Sequence, residues 1–270
     1  MKKLLTLLMA IALTTCLVAC GETADKPKEV ENMEVTLTFP VWNGPNPVTI
    51  TRAGTYTGTM LNDLPNGIGK FETQNEAGKP WYYEGEFKDG LFHGQGVQSN
   101  ADTEELDVGT FVDGLFTPTK SEFYSYISQF EPKFALQEKS SAVIAANDGI
   151  FPCTTEEATT AAVALTDFTV QHKQLSKSVD NYLEKLARFQ NMTATQVFEE
   201  DLYGHKLTQI IACDSDFNYF TVYFDGTIEL YDGDVFELYG LPVASSSFSN
   251  VGGGTTNVIV MVASIINVAK

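Results

Sequence analysis

One short glycine and aromatic pattern occurs twice in register along this chain and then begins a third time. Tyr56-Thr57-Gly58 leads, nine residues from its glycine, to Gly67-Ile68-Gly69. Glu84-Gly85-Glu86-Phe87 leads by the same nine-residue step to Gly94-Gln95-Gly96, and Gly109-Thr110-Phe111 opens a third copy. Repetition at a fixed spacing means stacked copies of one supersecondary unit. Asn62-Asp63, Asp89-Gly90 and Asp113-Gly114 each follow the first glycine by four or five residues. Such pairs supply the positive φ angles of tight turns between strands, so each unit is read as a hairpin. The later G-x-G lets the backbone come close where an aromatic ring lies flat. The rings available are Tyr56, Phe71, Trp81, Tyr83, Phe87, Phe92 and Phe111.

At these residues the chain resembles the MORN repeat family, whose units read roughly Tyr-x-Gly-x-Phe/Trp followed by Gly-x-Gly. The resemblance covers about a quarter of the chain. It implies stacked hairpins and, from the family's association with membrane or protein attachment in eukaryotes, a broad contact surface. Two departures stand out: an insertion from Glu72 to Tyr82, and Pro118 where the third unit should place its second glycine.

The array is expected over 35–118. Its first hairpin is a cap in which Val35 to Phe39 and Val48 to Thr51 alternate around Asn43-Gly44-Pro45. Upstream, Lys2-Lys3 precede an apolar run from Leu4 to Val18, too short and too early for an ordinary spanning helix, so 1–19 reads as a secretory signal. The run ends in Leu17-Val18-Ala19-Cys20-Gly21, which resembles a bacterial lipobox. That resemblance implies a diacylglyceryl thioether on Cys20, with palmitate-type chains, and a lipid anchor on the extracytoplasmic face of the cell membrane. A conventional signal with an incidental cysteine is the alternative. Each buried methylene contributes about 0.8 kcal/mol, so two or more chains hold a protein stably where one does not. Residues 20–34, with Lys26-Pro27-Lys28-Glu29 and little to bury, read as a solvated tether.

Charge narrows the partners. The formal net charge is -18. Without Lys2 and Lys3 the chain carries 15 basic against 35 acidic residues, and Tyr56 to Phe116 alone carries three lysines and eleven acids. Nucleic acid and anionic headgroups both need concentrated Lys and Arg, so neither is an expected partner. A protein or a cell-wall glycan is.

A helical connector is expected over 119–166. Phe123, Tyr124, Ile127 and Phe130 share a stripe with Ser121 as cap, a second helix covers Glu138 to Ala146, and Thr154 with Glu157 opens a third. From 167 to 270 the chain changes character. A helix carrying Phe168, Leu175, Val179, Tyr182 and Leu186 on one face is followed by strand-like runs at Phe189 to Phe198, Leu207 to Cys213, Tyr219 to Phe224, Val235 to Leu241 and Val258 to Ile266. Five strands suit a small barrel, with a β-sandwich as the alternative. Asp216 to Tyr223, Gly233-Asp234-Val235 and Tyr239 to Pro242 resemble an OB-like domain of surface proteins in anaerobic and intestinal Gram-positive bacteria. That resemblance implies a barrel and no particular activity. The expected fold class is therefore mainly β with a helical connector: MORN-type stacked hairpins plus a small OB-like β-barrel.

Chemistry-bearing patterns are sparse. His93, His172 and His205 fall in different segments, and no G-x-S-x-G, H-E-x-x-H or P-loop spacing occurs. No catalytic residue, metal or cofactor is assigned. Asp214, Asp216 and Asn218 imitate the opening of a calcium loop, but Tyr219 stands where that loop needs glycine, and a turn between strands accounts for the same residues. Cys153 and Cys213 form either a disulfide or two buried thiols. The candidate binding surface is the ring set Tyr56, Trp81, Tyr83, Phe87, Phe92 and Phe111, together with Tyr219 and Tyr223, which alternation puts on one face of their strand. Packing between repeats, or beneath a loop, is the competing use of every one of these rings. The function expected is that of a lipid-anchored, non-catalytic binding or scaffolding module, with an extracytoplasmic hydrolase assembled from scattered residues as the alternative.

Overall fold

The computed structural model describes residues 26–99, 105–249 and 253–269. The expected signal segment and Cys20 lie outside them. Seven strands follow one another in sequence order across a single antiparallel sheet: β1 (Lys28–Asn43), β2 (Asn46–Leu61), β3 (Leu64–Gln74), β4 (Pro80–Lys88), β5 (Leu91–Ser99), β6 (Leu106–Val112) and β7 (Leu115–Phe116). The turn pairs do what their residue types dictate, with φ of 51° and 60° at Asn62 and Asp63 and of 50° and 84° at Asp89 and Gly90. β1 begins inside the segment expected to be a tether. Residues 28–34 pair with the far half of β2, Lys28 opposite Met60 and Glu34 opposite Thr55, because β2 runs on to Leu61 and would otherwise leave its donors and acceptors unpaired.

The glycines answer to the tyrosines of their own unit. Gly58 pairs with Gly69 and Gly85 with Gly96. A Cβ on Gly69 would sit 2.3 Å from the Tyr56 hydroxyl oxygen, and one on Gly96 would sit 2.4 Å from that of Tyr83. Each phenol lies against the glycine of the facing strand and donates to a carbonyl three residues on along its own strand, Tyr56 to Thr59 at 2.8 Å and Tyr83 to Glu86 at 2.9 Å. The return strand of the incomplete third unit stops after Leu115–Phe116, and a helix completes the unit. α1 (Lys120–Ile127) brings the Glu122 carboxylate over Gly109, where it accepts from the amides of Thr110 (3.2 Å) and Thr119 (2.8 Å). Thr119, not Ser121, is the cap of α1, since the Thr119–Glu122 spacing satisfies both members of a capping box.

The sheet curls until its first strand meets its later ones: the Phe39 ring of β1 lies 4.7 Å from that of Phe92 on β5. The concave side is thereby filled with rings and closes on itself.

Beyond α1 the connector continues through α2 (Glu138–Ala146) and α3 (Glu156–Leu165). α3 is capped by Thr155, whose hydroxyl reaches the Ala158 amide; Thr154 lies one residue too early to do so. The long helix expected from Phe168 is instead β8 (Thr166–Asp167), the six-residue α4 (His172–Lys177) and one turn of 3-10 helix over Val179–Asn181. Phe168 is exposed and Leu186 already belongs to a strand, so the helical spacing of these apolar residues is shared between separate pieces.

The last five strands are β9 (Leu186–Leu202), β10 (His205–Cys213), β11 (Tyr219–Asp225), β12 (Val235–Ser249) and β13 (Thr255–Val268). Around the ring the order is β9, β10, β11, β13, β12 and back to β9, with β11 and β13 parallel and every other pair antiparallel. The sheet is therefore closed. Phe189, Ile210, Phe220, Val222, Phe236, Ile259 and Met261 fill its inside, while Tyr223, Leu241, Val258, Val260 and Val262 face outward beneath α1, α2 and the connector loops. Burial on both faces explains why Val258 to Ala263 is continuously apolar. α1 is also tied to the barrel by charge: Lys120 Nζ lies 2.9 Å from Asp225 Oδ2 and His205 Nδ1 lies 3.1 Å from Oδ1 of the same carboxylate.

Candidate functional site

Most of the rings expected to meet a partner are inside the molecule. Tyr56, Tyr83, Phe92 and Phe111 are fully buried and Phe87 nearly so; Tyr83 stacks on Phe92 at 4.0 Å and meets Phe87 and Phe111 edge-on. They form the core of the curled sheet. The physical reason is the curl itself, which turns the ring-bearing face inward and leaves it no solvent side. Tyr223 is buried as well, stacked on Phe134 of the connector at 5.8 Å, and Tyr219 packs half-buried beside it. The face of β11 that alternation gives to Tyr219, Thr221 and Tyr223 is the one the connector packs against.

Trp81 is the exception on the array. It is half-buried and lines a cleft of about 260 Å³ between the array's concave rim and the tip of the β9–β10 hairpin. It stands on the array because the insertion after the first unit lengthens the β3–β4 hairpin, pairing Thr73 with Trp81 and Gln74 with Pro80. Its ring is held parallel to that of Phe39 at 5.5 Å. Trp42 comes from the end of β1 in the capping hairpin and is fixed by a 2.8 Å hydrogen bond from its Nε1 to the Phe116 carbonyl. Arg52 of β2 joins them, its guanidinium 3.3 Å from the exposed Glu76 carboxylate.

The far wall comes from the barrel. Tyr203 and Gly204 make the β9–β10 turn with φ of 51° and 76°. The Tyr203 ring meets Phe116 and Tyr126 edge-on at 4.9 Å each, and Trp42 at 6.5 Å. A side chain on Gly204 would meet the Trp42 indole at 2.9 Å, so the turn approaches as closely as a glycine permits. At the floor lies Asp107 of β6, only 6% exposed, accepting from Tyr203 Oη at 2.6 Å and from Gln98 Nε2 at 3.3 Å. Burial pushes its carboxyl up to about 6, against the pull of the Tyr203 hydrogen bond and with help from nearby Glu105. Burial, then the Asp107 charge, raises the Tyr203 phenol far above its ordinary value, so it remains a donor.

Trp42, Arg52, Asp107 and Tyr203 were not singled out from the sequence. Trp42 carried a signal, an indole at the end of a hairpin strand. Asp107 closes the acid-rich stretch that begins at Glu104, and Tyr203 follows the acids Glu199 to Asp201, so neither residue's neighbours point to a buried position.

The three histidines stay apart. His93 is 3.8 Å from Asp113, His205 pairs with Asp225, and His172 faces Ser176 one turn along α4. The Ser176 oxygen is 3.2 Å from both ring nitrogens of His172 and so is aligned with neither lone pair. Asp214, the nearest carboxylate in charge terms, accepts from the amides of Asp216 (2.9 Å) and Asn218 (3.0 Å) and from the Asn218 side chain (2.8 Å), closing its own turn. Cys153 and Cys213 are free thiols; the Cys153 sulfur is 3.4 Å from the Ser264 hydroxyl.

Comparison with known proteins agrees with the array. The family model for the MORN repeat matches residues 56–76 and 83–102. No curated protein and no solved structure matches the chain. MORN repeats are in general binding or scaffolding modules and are typically non-catalytic.

Proposed function

We propose that this protein is a lipid-anchored, non-catalytic binding or scaffolding module on the extracytoplasmic face of a cell membrane, with a protein or a glycan as partner. The observation that carries the binding role is the cleft, where two indoles and a tyrosine converge from separate parts of the chain on a partly polar floor. Aromatic side chains on rigid hairpins supply contact area at low entropic cost. The lipobox-like Leu17-Val18-Ala19-Cys20 supports the anchor. The second domain is read as an OB-like barrel, supported by its closed five-strand ring with the third and fifth strands parallel. Its six basic and twelve acidic residues from Phe168 to Lys270 speak for a use other than nucleic-acid binding.

Photo-cross-linking on intact cells from a reactive group at position 81 tests the binding role. Adducts that form there and disappear with Trp42→Ala support it. Adducts that survive that substitution would place the contact elsewhere. Membrane fractionation of Cys20→Ala tests the anchor separately: the variant should leave the membrane pellet, and continued co-sedimentation overturns it.

A further inference from the structure

We propose that the cleft bounded by Trp42, Trp81 and Tyr203 is a subsite for one uncharged sugar ring of a glycan; this rests on the binding reading above and names its ligand class. Size comes first. About 260 Å³ lies below the roughly 300–1,000 Å³ of sites that enclose drug-sized molecules, so the cleft suits a single ring with the rest of the ligand outside.

Wall chemistry comes second. The indoles of Trp42 and Trp81 and the phenol of Tyr203 present flat apolar surface, the complement of the C–H face of a pyranose. Between them stand the amides of Gln74 and Gln98. An amide offers donor and acceptor side by side, as does a sugar hydroxyl, so either orientation of each O–H finds a partner. Gln98 already donates to Asp107, which fixes its orientation, while Gln74 is exposed at the rim.

Charge decides between ligands. Among the described residues, Arg52 is the one cationic side chain on the cleft wall and Asp107 the one anionic. A carboxylated ligand would meet Asp107 and the acidic surface of a chain at -18, whereas a lysine-rich peptide would meet Arg52. A neutral polyol meets neither penalty, and the Arg52 and Asp107 groups become hydrogen-bonding partners for it. Three of these groups are positioned before any ligand arrives: Trp42 by its bond to Phe116, Trp81 by Phe39, and Asp107 by Tyr203.

The chain contains only two tryptophans, and both line the cleft, so intrinsic tryptophan emission reports on this site. The full-length protein in detergent is titrated with maltotriose, cellotriose and chitotriose, and in parallel with triglycine and trilysine. A saturable emission change with at least one trisaccharide, and none with the peptides, is expected. Gln74→Ala, at an exposed position, should weaken that binding by about fivefold, and Trp42→Phe by about tenfold or more by calorimetry, with the melting temperature of Gln74→Ala unchanged. Saturation by a peptide with silence toward the sugars overturns the ligand class, as does sugar binding that both substitutions leave intact. A cleft silent to every probe, on a protein that still yields position-81 adducts on cells, removes the sugar while the binding role stands; loss of both removes both.

Discussion

The Tyr203 hydroxyl donates a 2.6 Å hydrogen bond to Asp107 across 96 residues of chain, joining the hairpin tip of the barrel to the sixth strand of the array. It is the polar centre of an otherwise aromatic joint, in which the Tyr203 ring meets Phe116, Tyr126 and Trp42. Both the stability of the joint and its response to acid follow from this pair.

Tyr203→Phe keeps the ring contacts and removes the donor, leaving the buried carboxylate with Gln98 alone. The expected cost is about 2 kcal/mol in urea denaturation near neutral pH. In combination with Asp107→Asn the two losses should add to less than their sum, because both act on the same bond. Full additivity would mean that the bond carries no coupling.

The pH profile should be domed, with its maximum on the acid side of neutral. Asp107 moves from about 3.9 in the unfolded chain to about 6 in the folded one, so the native state holds its proton more tightly. Its contribution is greatest below about pH 4 and declines as pH rises through about 6, by at most about 3 kcal/mol. Asp225 acts in the opposite sense: burial raises its carboxyl, but hydrogen bonds from His205 and Lys120 prevail and hold it below its ordinary range. Its stabilisation is complete above about pH 4 and is lost as pH falls through the folded value. Melting temperature against pH should show both limbs, and Asp107→Asn should flatten only the neutral one. A wild-type profile level from pH 4 to pH 7 contradicts the assignment.

Two glycine substitutions separate crowding from backbone strain. Gly96→Ala places a methyl 2.4 Å from the Tyr83 hydroxyl oxygen and 2.6 Å from two carbons of its ring, which is fully buried and cannot move aside. It should cost about 2–3 kcal/mol. Gly78→Ala meets no atom within 4 Å but sits at φ of +76°, and should cost about 1 kcal/mol from strain alone. Parallel thermal melts of the two variants should give that order.

Lys120→Met removes one partner of a carboxylate that is 9% exposed and should destabilise by about 3 kcal/mol, while Lys120→Arg should recover most of the loss. Chemical denaturation of the three proteins side by side checks it. Equal losses for Met and Arg would show that packing of the lysine stem matters more than its charge.

The array was legible because its instructions are local. Asp-Gly turns, the nine-residue glycine step and strand alternation specify each hairpin without reference to the rest of the chain. The barrel strands were found for the same reason, though β9 runs on through Glu199 to Asp201, where three consecutive acids look like a loop. The cap of α1 was also within reach, since Thr119 and Glu122 have capping-box spacing and Ser121 lacks it. What local patterns could not show was which way the ring-bearing face turns. That depends on the curl that brings Phe39 to Phe92, and on a helix completing the third unit where its return strand stops at Phe116. The cleft was hidden more deeply, because Trp42, Trp81, Asp107 and Tyr203 come from four elements and only the assembled joint brings them together.

The order of the strands also sets an order of events. In the array every strand pairs with its sequence neighbour, so it can zip together one hairpin at a time. The barrel must wait for β12 to return to β9 and for β13 to lie parallel to β11, pairings that close long loops and form slowly. A chain made from its N-terminus therefore presents a finished array, with Asp107 still hydrated and Trp42 bare on one side, before the hairpin that bears Tyr203 has a barrel to hold it. The cleft is the last part of the molecule to come into being, and any ligand that grips both of its walls acts as a fastener on the completed fold.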